Sequence, residues 1–250
     1  MRQTTIKGEL IAQTDIGKVR VTNEDQAAAL KSAMGYTLLC VCDGMGGHRK
    51  GDYASKLAID IMTEEFQKVG TFLTALSARI WLIKTIKTIN STIYNEGHSS
   101  PIYKDMGTTM VAVLLYQDKL IIANVGDSRA YLVRYASLLQ LTTDQTYVDY
   151  MVRAGKMTEE EAKVSDQRHV LLNALGSFPS VSVDISVQNN IKNPILLCSD
   201  GLYNNASEAE IHAALSTNET PEQKVQSLIR IANKNGGSDN IGIAYWEALK

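Results

Sequence analysis

Apolar residues recur along this chain with two different periods, which predict helices in some segments and strands in others. In residues 52–69 and 71–94 they return every three or four positions, as at Ile80, Ile83 and Ile86, and this spacing is typical of a helix with one buried face. Elsewhere they form short continuous runs, which predict strands at residues 37–42, 110–116, 119–125, 130–135, 181–187, 195–198 and 241–246.

The order of these segments indicates the fold class. Only two residues separate the predicted strands 110–116 and 119–125, a length that suits a tight hairpin. Ser207 and Thr220 are each followed three residues later by Glu or Gln, which predicts the starts of two helices near the C-terminus. Because helix pairs lie between blocks of antiparallel strands, the sequence predicts an α+β layered fold rather than alternating βαβ units.

Composition and charge narrow the class of protein. The chain has 250 residues and no Pro- or Ser-rich linker, which favours a single domain covering residues 1–250. Its 25 basic and 27 acidic residues leave a net charge of −2, which argues against a nucleic-acid-binding surface and against a polybasic membrane anchor. No apolar run suits a signal peptide or a membrane span, and Cys40, Cys42 and Cys198 lie inside apolar runs, as is typical of a reducing compartment. We therefore expect a cytoplasmic protein.

Aspartates stand beside a glycine or another small residue at the ends of the most apolar runs, at Asp43, Asp127, Asp200 and Asp239. A single Asp-Gly pair is usually a turn, but four carboxylates at the ends of buried strands are costly unless they are paired or bind a metal. No cluster of Arg or Lys accompanies them. Oxygen ligands without His or Cys suit Mg²⁺ or Mn²⁺ rather than Zn²⁺, and Gly44 allows a backbone carbonyl to turn towards an ion.

A polar segment near the N-terminus supplies the further candidates Arg20, Glu24 and Asp25. On its own, this segment is as easily a solvated turn as a functional one. Next to a metal centre, an arginine fork binds phosphate oxygens, and carboxylates hold metal-bound waters. Two neighbouring cations activate a water for in-line attack on phosphorus. The combination of the acidic residues with Arg20 therefore indicates phosphoester hydrolysis.

With these residues the chain resembles the metal-dependent serine/threonine protein phosphatases, the type-2C or PPM family, in their compact bacterial form. The matching stretches follow the family order through almost the whole chain: RVTNED at 20–25, DGMGGH at 43–48, GTT at 107–109, NVGDSR at 124–129, LTTD at 141–144, SDGL at 199–202 and GSDN at 237–240. The resemblance implies a β-sandwich of two antiparallel sheets flanked by α-helix pairs, a four-layer αββα fold, with a metal centre at one edge.

The resemblance also implies Mn²⁺ or Mg²⁺ as cofactor, as two ions and a weaker third. The groups that it assigns to the ions are Asp43 as the bridge between two of them, the Gly44 carbonyl, Asp200, Asp239 and, with Asp200 at the third ion, Asp127. It further implies water-mediated contacts from Glu24 and Asp25, and binding of the substrate phosphate by Arg20. A water between two ions would attack phosphoserine or phosphothreonine directly, without a phosphoenzyme.

Two positions depart from the family pattern. Met45 stands where some members carry a His as general acid for the leaving alkoxide, so the proton donor has no assigned residue. Gln145 stands where a His usually follows the Asp at position 144, which removes a second histidine. His48 follows two glycines, and we expect it to be an orienting surface residue.

Residues 146–176 resemble the flap subdomain of bacterial members. We expect a short helix that contains Met151 and ends near Gly155, and then Arg168 and His169 before the chain returns to the core. A long polar insertion beside a catalytic centre is typical of a substrate gate. A surface segment that serves only stability is the alternative. Arg168 and His169 are candidates for contact with phosphopeptide charges.

The leading hypothesis is therefore a monomeric Mn²⁺- or Mg²⁺-dependent phosphatase whose partners are proteins phosphorylated by a serine/threonine kinase. A catalytically silent module that binds phosphopeptides and an enzyme for small phosphate esters are the alternatives. The sequence contains neither a Cys-x₅-Arg loop nor a Gly-x₄-Gly-Lys-Ser/Thr loop. This argues against a phosphotyrosine-type thiol phosphatase and an enzyme driven by nucleoside triphosphate.

Overall fold

Two antiparallel β-sheets lie at the centre of the computed structural model, which describes residues 6–46, 49–189 and 192–249. The strands are β1 (Gly8–Asp15), β2 (Asp25–Lys31), β3 (Thr37–Met45), β4 (Gly107–Thr108), β5 (Met110–Tyr116), β6 (Lys119–Val125), β7 (Arg129–Val133), β8 (Leu138–Gln140), β9 (Asp184–Asn189), β10 (Ile195–Cys198) and β11 (Ile241–Ala248). The helices are α1 (Arg49–Gln67), α2 (Ala75–Ser99), α3 (Tyr147–Arg153), α4 (Glu159–Val164), α5 (Asp200–Tyr203), α6 (Glu208–Leu215) and α7 (Pro221–Lys234). The first sheet has the order β1-β11-β10-β7-β8, and the second has the order β2-β3-β5-β6-β9, with β4 paired to β3.

The two sheets pack face to face, and each carries helices on its outer face. Leu39, Val113 and Leu197 are fully buried in the layer between the sheets. Helices α1 and α2 cover the outer face of the second sheet, while α6 and α7 pack on the first. The predicted α+β sandwich flanked by α-helix pairs is therefore confirmed.

Most of the predicted elements are present with shifted ends. Helix α2 begins after Thr74, whose side chain forms a capping box with Ser77. Ser207 and Thr220 cap α6 and α7 as the sequence predicts, and β5 and β6 form the expected hairpin. Strands β1 and β2 were not predicted, because their apolar runs at residues 10–12 and 27–30 are short and most of their side chains are only half buried.

The strand pairing brings the candidate aspartates to one end of the sandwich. Strands β2 and β3 are antiparallel, with Asp25 opposite Asp43. The end of β6, which precedes Asp127, lies on the same side of this sheet because β5 is antiparallel to both β3 and β6. In the other sheet β10 and β11 are antiparallel, so Asp200 after β10 lies near Asp239 before β11.

The described residues include no helix with the length and apolar composition needed to cross a membrane. Cys40, Cys42 and Cys198 are fully buried free thiols and act as small apolar side chains of the core. Burial raises the pKa of the Cys42 and Cys198 thiols well above their ordinary value. Both thiols are therefore protonated and unreactive at neutral pH.

A substitution at Leu197 tests how much the layer between the sheets contributes to the stability of the fold. We expect Leu197→Ala to lower the free energy of unfolding by about 2–5 kcal/mol, because it leaves a cavity in a close-packed interior. The control Leu73→Ala removes a side chain that is 85% exposed, and we expect a change below about 0.5 kcal/mol. Urea unfolding followed by circular dichroism measures both values, and equal effects would contradict this assignment of the core.

Candidate active site and metal centre

An open cavity of about 560 Å³ lies at the end of the sandwich where the strand ends meet, and we call it the central cavity. Its lining includes Arg20 and five acidic side chains, which are those of Glu24, Asp43, Asp127, Asp200 and Asp239. All of these residues were candidates from the sequence. The structure therefore brings together residues that are up to 219 positions apart in the chain.

Asp43 on β3 is held in place through its backbone. Its N–H donates to Oγ1 of Thr109 at 3.0 Å, and its carbonyl accepts bonds from the Thr109 N–H at 2.8 Å and the Thr108 hydroxyl at 2.9 Å. A further bond of 2.7 Å joins the Thr109 and Ser128 hydroxyls. Because these bonds use only backbone atoms of Asp43, its carboxylate remains available to the cavity. The sequence assigned Thr108 and Thr109 no role.

Gly44 is needed for close packing at the floor of the cavity. A Cβ at this position would lie 2.1 Å from the carbonyl oxygen of Gly51 in α1 and 2.7 Å from that of Glu24. The Gly44 N–H donates to the same Glu24 carbonyl at 3.0 Å. The end of β3, the segment before β2 and the start of α1 therefore meet at a distance that only glycine allows.

Asn240 joins the loops on two sides of the site. Its Oδ1 accepts the N–H of Glu24 at 2.9 Å, and its Nδ2 donates to the carbonyls of Ile16 and Thr22, both at 2.9 Å. The residue is buried, so these three bonds are shielded from water. Sequence reasoning gave Asn240 no role, although its position directly after Asp239 was the available signal.

Asp200 and Asp239 lie near each other because their backbones approach closely. Asp200 begins α5, and the next residue, Gly201, packs against the segment before β11. A Cβ at Gly201 would lie 1.9 Å from the carbonyl oxygen of Asn240. A larger residue there would push the two aspartates apart.

Arg20 lies at the mouth of the central cavity, paired with Asp239. Its Nη2 donates to Oδ2 of Asp239 at 2.7 Å, and the two side chains are 48% and 29% exposed. A guanidinium group has five N–H donors. The pair therefore leaves other donors of Arg20 available to a phosphate.

The carboxyl groups repel one another in a poorly solvated site. Burial raises the pKa of Asp43 well above its ordinary value, and the negative charges of neighbouring acids such as Asp200 raise it further. Burial and the charges of Asp127 and Asp239 do the same to the pKa of Asp200. Burial and the charge of Asp144 raise the pKa of Asp127 to about 6. A cation among these groups would lower each pKa again, because it favours the charged forms.

Asp25 lies beneath the central cavity and is almost completely buried. Its Oδ2 accepts a 2.6 Å bond from the Ser199 hydroxyl, which in turn accepts the N–H of Gly242 at 2.8 Å. Burial raises the pKa of Asp25 to about 7, although the bond from Ser199 opposes the shift. The contact of Asp25 with an ion through water stays a prediction.

The residues of the central cavity fit divalent cations that prefer oxygen ligands. The Oε1 atom of Glu24 is buried without a hydrogen-bond partner in the described part of the chain, so it can accept a bond from a metal-bound water. Within the described ranges, no three His, Cys, Asp or Glu side chains form a ready-made metal cluster. Mg²⁺ usually keeps several waters and takes one or two carboxylates, so Asp43, Asp200 and Asp239 can serve such ions without a cluster of three.

A second cavity of about 1030 Å³ is lined by residues of both the flap and the sandwich, and we call it the flap cavity. Asp127 lines both the flap cavity and the central cavity. Behind Asp127, Arg129 donates to Oδ2 of Asp144 from Nε at 2.8 Å and from Nη2 at 2.7 Å. Its guanidinium lies 3.5 Å from the ring centroid of Tyr203, whose hydroxyl donates to the Asp127 carbonyl at 3.2 Å. These contacts fix the turn that carries Asp127.

The flap contains helices α3 and α4, and it brings His169 to the central cavity. Nδ1 of His169 lies 3.9 Å from Oδ2 of Asp200, and the residue lines both cavities, while Arg168 lines the flap cavity. Burial and the charge of Arg168 lower the pKa of His169. Met151 on α3 and Gly155 in the turn after it line neither of these cavities. The flap's function as a gate stays a prediction.

Gln145 ties the return of the flap to the sandwich. Its Oε1 accepts the Gly126 N–H at 2.9 Å and a bond from Nδ2 of Asn173 at 2.8 Å, and its Nε2 donates to Asp184 at 2.9 Å. Its backbone carbonyl also accepts the N–H of Leu172. The glutamine at this position therefore has a structural role that uses both ends of its amide.

Met45 lines the central cavity at the end of β3. Its thioether has no exchangeable proton, so Met45 is not a proton donor. His48, which follows this strand in the sequence, lies outside the described residues.

An αββα sandwich with an acidic, oxygen-lined cavity and an arginine at its mouth is the arrangement expected of a phosphoester hydrolase that uses divalent cations. The family model described as protein phosphatase 2C matches residues 18–242. The serine/threonine phosphatase stp of Listeria monocytogenes is 38% identical to this chain over 232 residues, which are 92% of each protein.

Solved structures of similar proteins indicate the same family. The S. agalactiae serine/threonine phosphatase is 36% identical with a TM-score of 0.92, and the match covers 97% of this chain and 100% of that one. The catalytic domain of the phosphatase PstP, solved with two manganese ions, is 32% identical with a TM-score of 0.83, over 97% and 99% of the chains. The chain therefore belongs to the protein phosphatase 2C family and is a serine/threonine phosphatase.

We expect the repulsion among the carboxyl groups of the central cavity to lower the stability of the metal-free protein. We expect Asp43→Asn to raise the free energy of unfolding in EDTA by about 1–3 kcal/mol, because it removes a half-buried carboxyl group that lies among like charges. Saturation with Mn²⁺ at 100 times its Kd would stabilise the wild type by about 2.7 kcal/mol and the variant by less. Urea unfolding measures these values.

The matched control for this experiment is Asp118→Asn, because Asp118 is exposed in the β5–β6 turn. We expect it to change the free energy of unfolding by less than about 0.5 kcal/mol with or without Mn²⁺. A metal-free Asp43→Asn variant that is less stable than the wild type would contradict the inferred repulsion among the carboxyl groups.

Proposed function

We propose that this phosphatase hydrolyses phosphoserine and phosphothreonine in proteins with Mn²⁺ or Mg²⁺ in its central cavity, as two ions and a weaker third. The observation that carries the proposal is the meeting of four strand-end aspartates around one cavity with Arg20 at its mouth. The relatives from Listeria and S. agalactiae are serine/threonine phosphatases, which supports the substrate class. The manganese ions of PstP support the cofactor.

The oxygen atoms of the cavity are the proposed metal ligands. The groups that would hold the ions are the carboxylates of Asp43, Asp200 and Asp239, the Gly44 carbonyl and, at the third ion with Asp200, Asp127. Glu24 and Asp25 would reach the ions through waters, and the unpartnered Oε1 of Glu24 supports this role. When bound, such ions supply a water ligand of lowered pKa as nucleophile and neutralise charge on the phosphate.

Arg20 is the proposed phosphate-binding residue. Asp239 holds one of its nitrogens at 2.7 Å, which orients the rest of the guanidinium at the mouth of the cavity. A planar fork matches two phosphate oxygens. By binding them, Arg20 would turn the phosphorus towards the carboxylates and hold it in a geometry suited to in-line attack.

The flap supplies the proposed contacts with the rest of the substrate. Its cavity opens beside the central cavity, and Asp127, His169 and Asp239 line both. Arg168 and His169 would contact the charges of a phosphopeptide. The partners of this protein would therefore be phosphorylated proteins, produced by a serine/threonine kinase.

A catalytically silent module that binds phosphopeptides is the alternative. Loss of metal-binding aspartates would be its expected sign, whereas Asp43, Asp127, Asp200 and Asp239 are all present and line one cavity. The complete set therefore favours catalysis.

Hydrolysis of a phosphothreonine peptide tests the proposal. We expect EDTA to abolish activity and Mn²⁺ to restore it, and we expect Asp43→Ala and Asp239→Ala to lower kcat at least about 100-fold, because each removes a proposed ligand. Arg20→Ala should lower kcat/KM by about 10- to 100-fold through loss of a charge-assisted phosphate contact. Arg79→Ala, at an exposed position of α2, is the matched control and should have no effect.

Each contrary result identifies what is wrong. Full activity of the metal-free protein would contradict the metal dependence. Tight phosphopeptide binding without turnover in any divalent cation would favour the silent module. Faster hydrolysis of nucleotides or phosphosugars than of phosphopeptides would favour small phosphate esters as substrates.

A further inference from the structure

Phe178 is an exposed aromatic residue at the rim of the central cavity. It is 59% exposed and lines the cavity, whereas the other two phenylalanines, Phe66 and Phe72, are buried. An exposed phenylalanine forgoes most of the stabilisation that burial of its ring provides. Core packing therefore does not explain this residue, and its place beside the acidic site points to a ligand.

The loop that carries Phe178 is fixed from below by Asn90 of α2, which is almost completely buried. Nδ2 of Asn90 donates to the Phe178 carbonyl at 3.1 Å, and its Oδ1 accepts the Gly176 N–H at 2.9 Å. Leu175 exchanges two backbone hydrogen bonds with Thr108, of 2.9 and 3.1 Å. The backbone is thus tied to a helix and to the second sheet, so the ring is presented at a fixed place.

Phe178 is one of five apolar residues that line the central cavity. We call this set the apolar wall, and it consists of Met45, Leu171, Leu172, Ala174 and Phe178. A Cβ placed on Gly107 would lie 2.8 Å from Cε of Met45 and 3.4 Å from Oγ of Ser177. The end of β3 and the loop of Phe178 therefore meet over this glycine. The central cavity combines an acidic part, which includes Asp43, with an apolar part.

We propose that the apolar wall is a specificity subsite that binds an apolar side chain next to the phosphoserine or phosphothreonine of a substrate protein. This proposal rests on the proposed function of the central cavity. Because the wall and Arg20 line the same cavity, a phosphate held by Arg20 places the neighbouring residues of the peptide against the wall.

The chemistry of the wall selects among phosphorylated sites. A flanking Leu, Ile, Met or Phe removes apolar surface from water when it packs on Phe178 and Leu172, which is 48% exposed. A flanking Asp or Glu would instead lose water without gaining a polar partner from the wall. The enzyme therefore acts better on phosphoproteins whose phosphoresidue has apolar neighbours.

Three phosphothreonine peptides of equal length, with Leu, Gly or Asp on both sides of the phosphoresidue, test the subsite. We expect the Mn²⁺-loaded wild type to have about fivefold higher kcat/KM for the Leu peptide than for the Asp peptide, which is the effect of burying part of a leucine side chain. Phe178→Ala should abolish this preference, and Phe178→Leu should keep most of it.

The matched control is Tyr135→Ala, because Tyr135 is a fully exposed aromatic residue in the turn between β7 and β8. It should leave the preference intact. Calorimetric titration with the corresponding phosphonate peptides, which are not hydrolysed, gives Kd values that do not depend on turnover. The same fivefold preference and the same loss in Phe178→Ala are expected there.

The outcomes separate the subsite from the catalytic proposal. A wild type without preference in either measurement, or a Phe178→Ala variant with the wild-type preference, would overturn the subsite. A preference in Kd that depends on Phe178, without hydrolysis of any peptide, would support the subsite and overturn the proposed catalytic function.

Discussion

The mutual repulsion of carboxylates at one end of the β-sandwich is the interaction on which the rest of the site depends. Burial and neighbouring charges raise the pKa of Asp43 and Asp200 well above their ordinary value. Carboxylates in such surroundings destabilise a fold unless opposite charge compensates them, and Arg20 is the cation that pairs with Asp239 at the mouth. We propose that the remaining negative charge would give the cavity affinity for divalent cations, so that binding them would offset the repulsion.

A rigid frame keeps the carboxylates from moving apart under this repulsion. Thr109 holds the backbone of Asp43, and Asn240 ties the segments before β2 and β11 together. Gly44 and Gly201 permit backbone approaches that a Cβ would block. Because a satisfied buried polar network resists rearrangement, these residues matter to the site although none of them is acidic.

The sequence predicted those features that leave a local pattern. The buried strands and the helices α1 and α2 have strong apolar periods, while β1 and β2 are half exposed and have none. The strand-end aspartates interrupt apolar runs and could therefore be recognised, but their meeting depends on a strand order that the pattern does not contain. The bonds of Asn240 and the support of Phe178 by Asn90 join residues 88 to 224 positions apart, and no local pattern records such contacts. The metal roles came from a family resemblance.

The carboxylates of the central cavity are proposed to hold divalent cations. Anomalous X-ray scattering from Mn²⁺-soaked crystals of the protein tests it most directly. We expect manganese peaks beside Asp43, Asp200 and Asp239 in the central cavity. A structure at saturating Mn²⁺ with no anomalous peak in this cavity would contradict it.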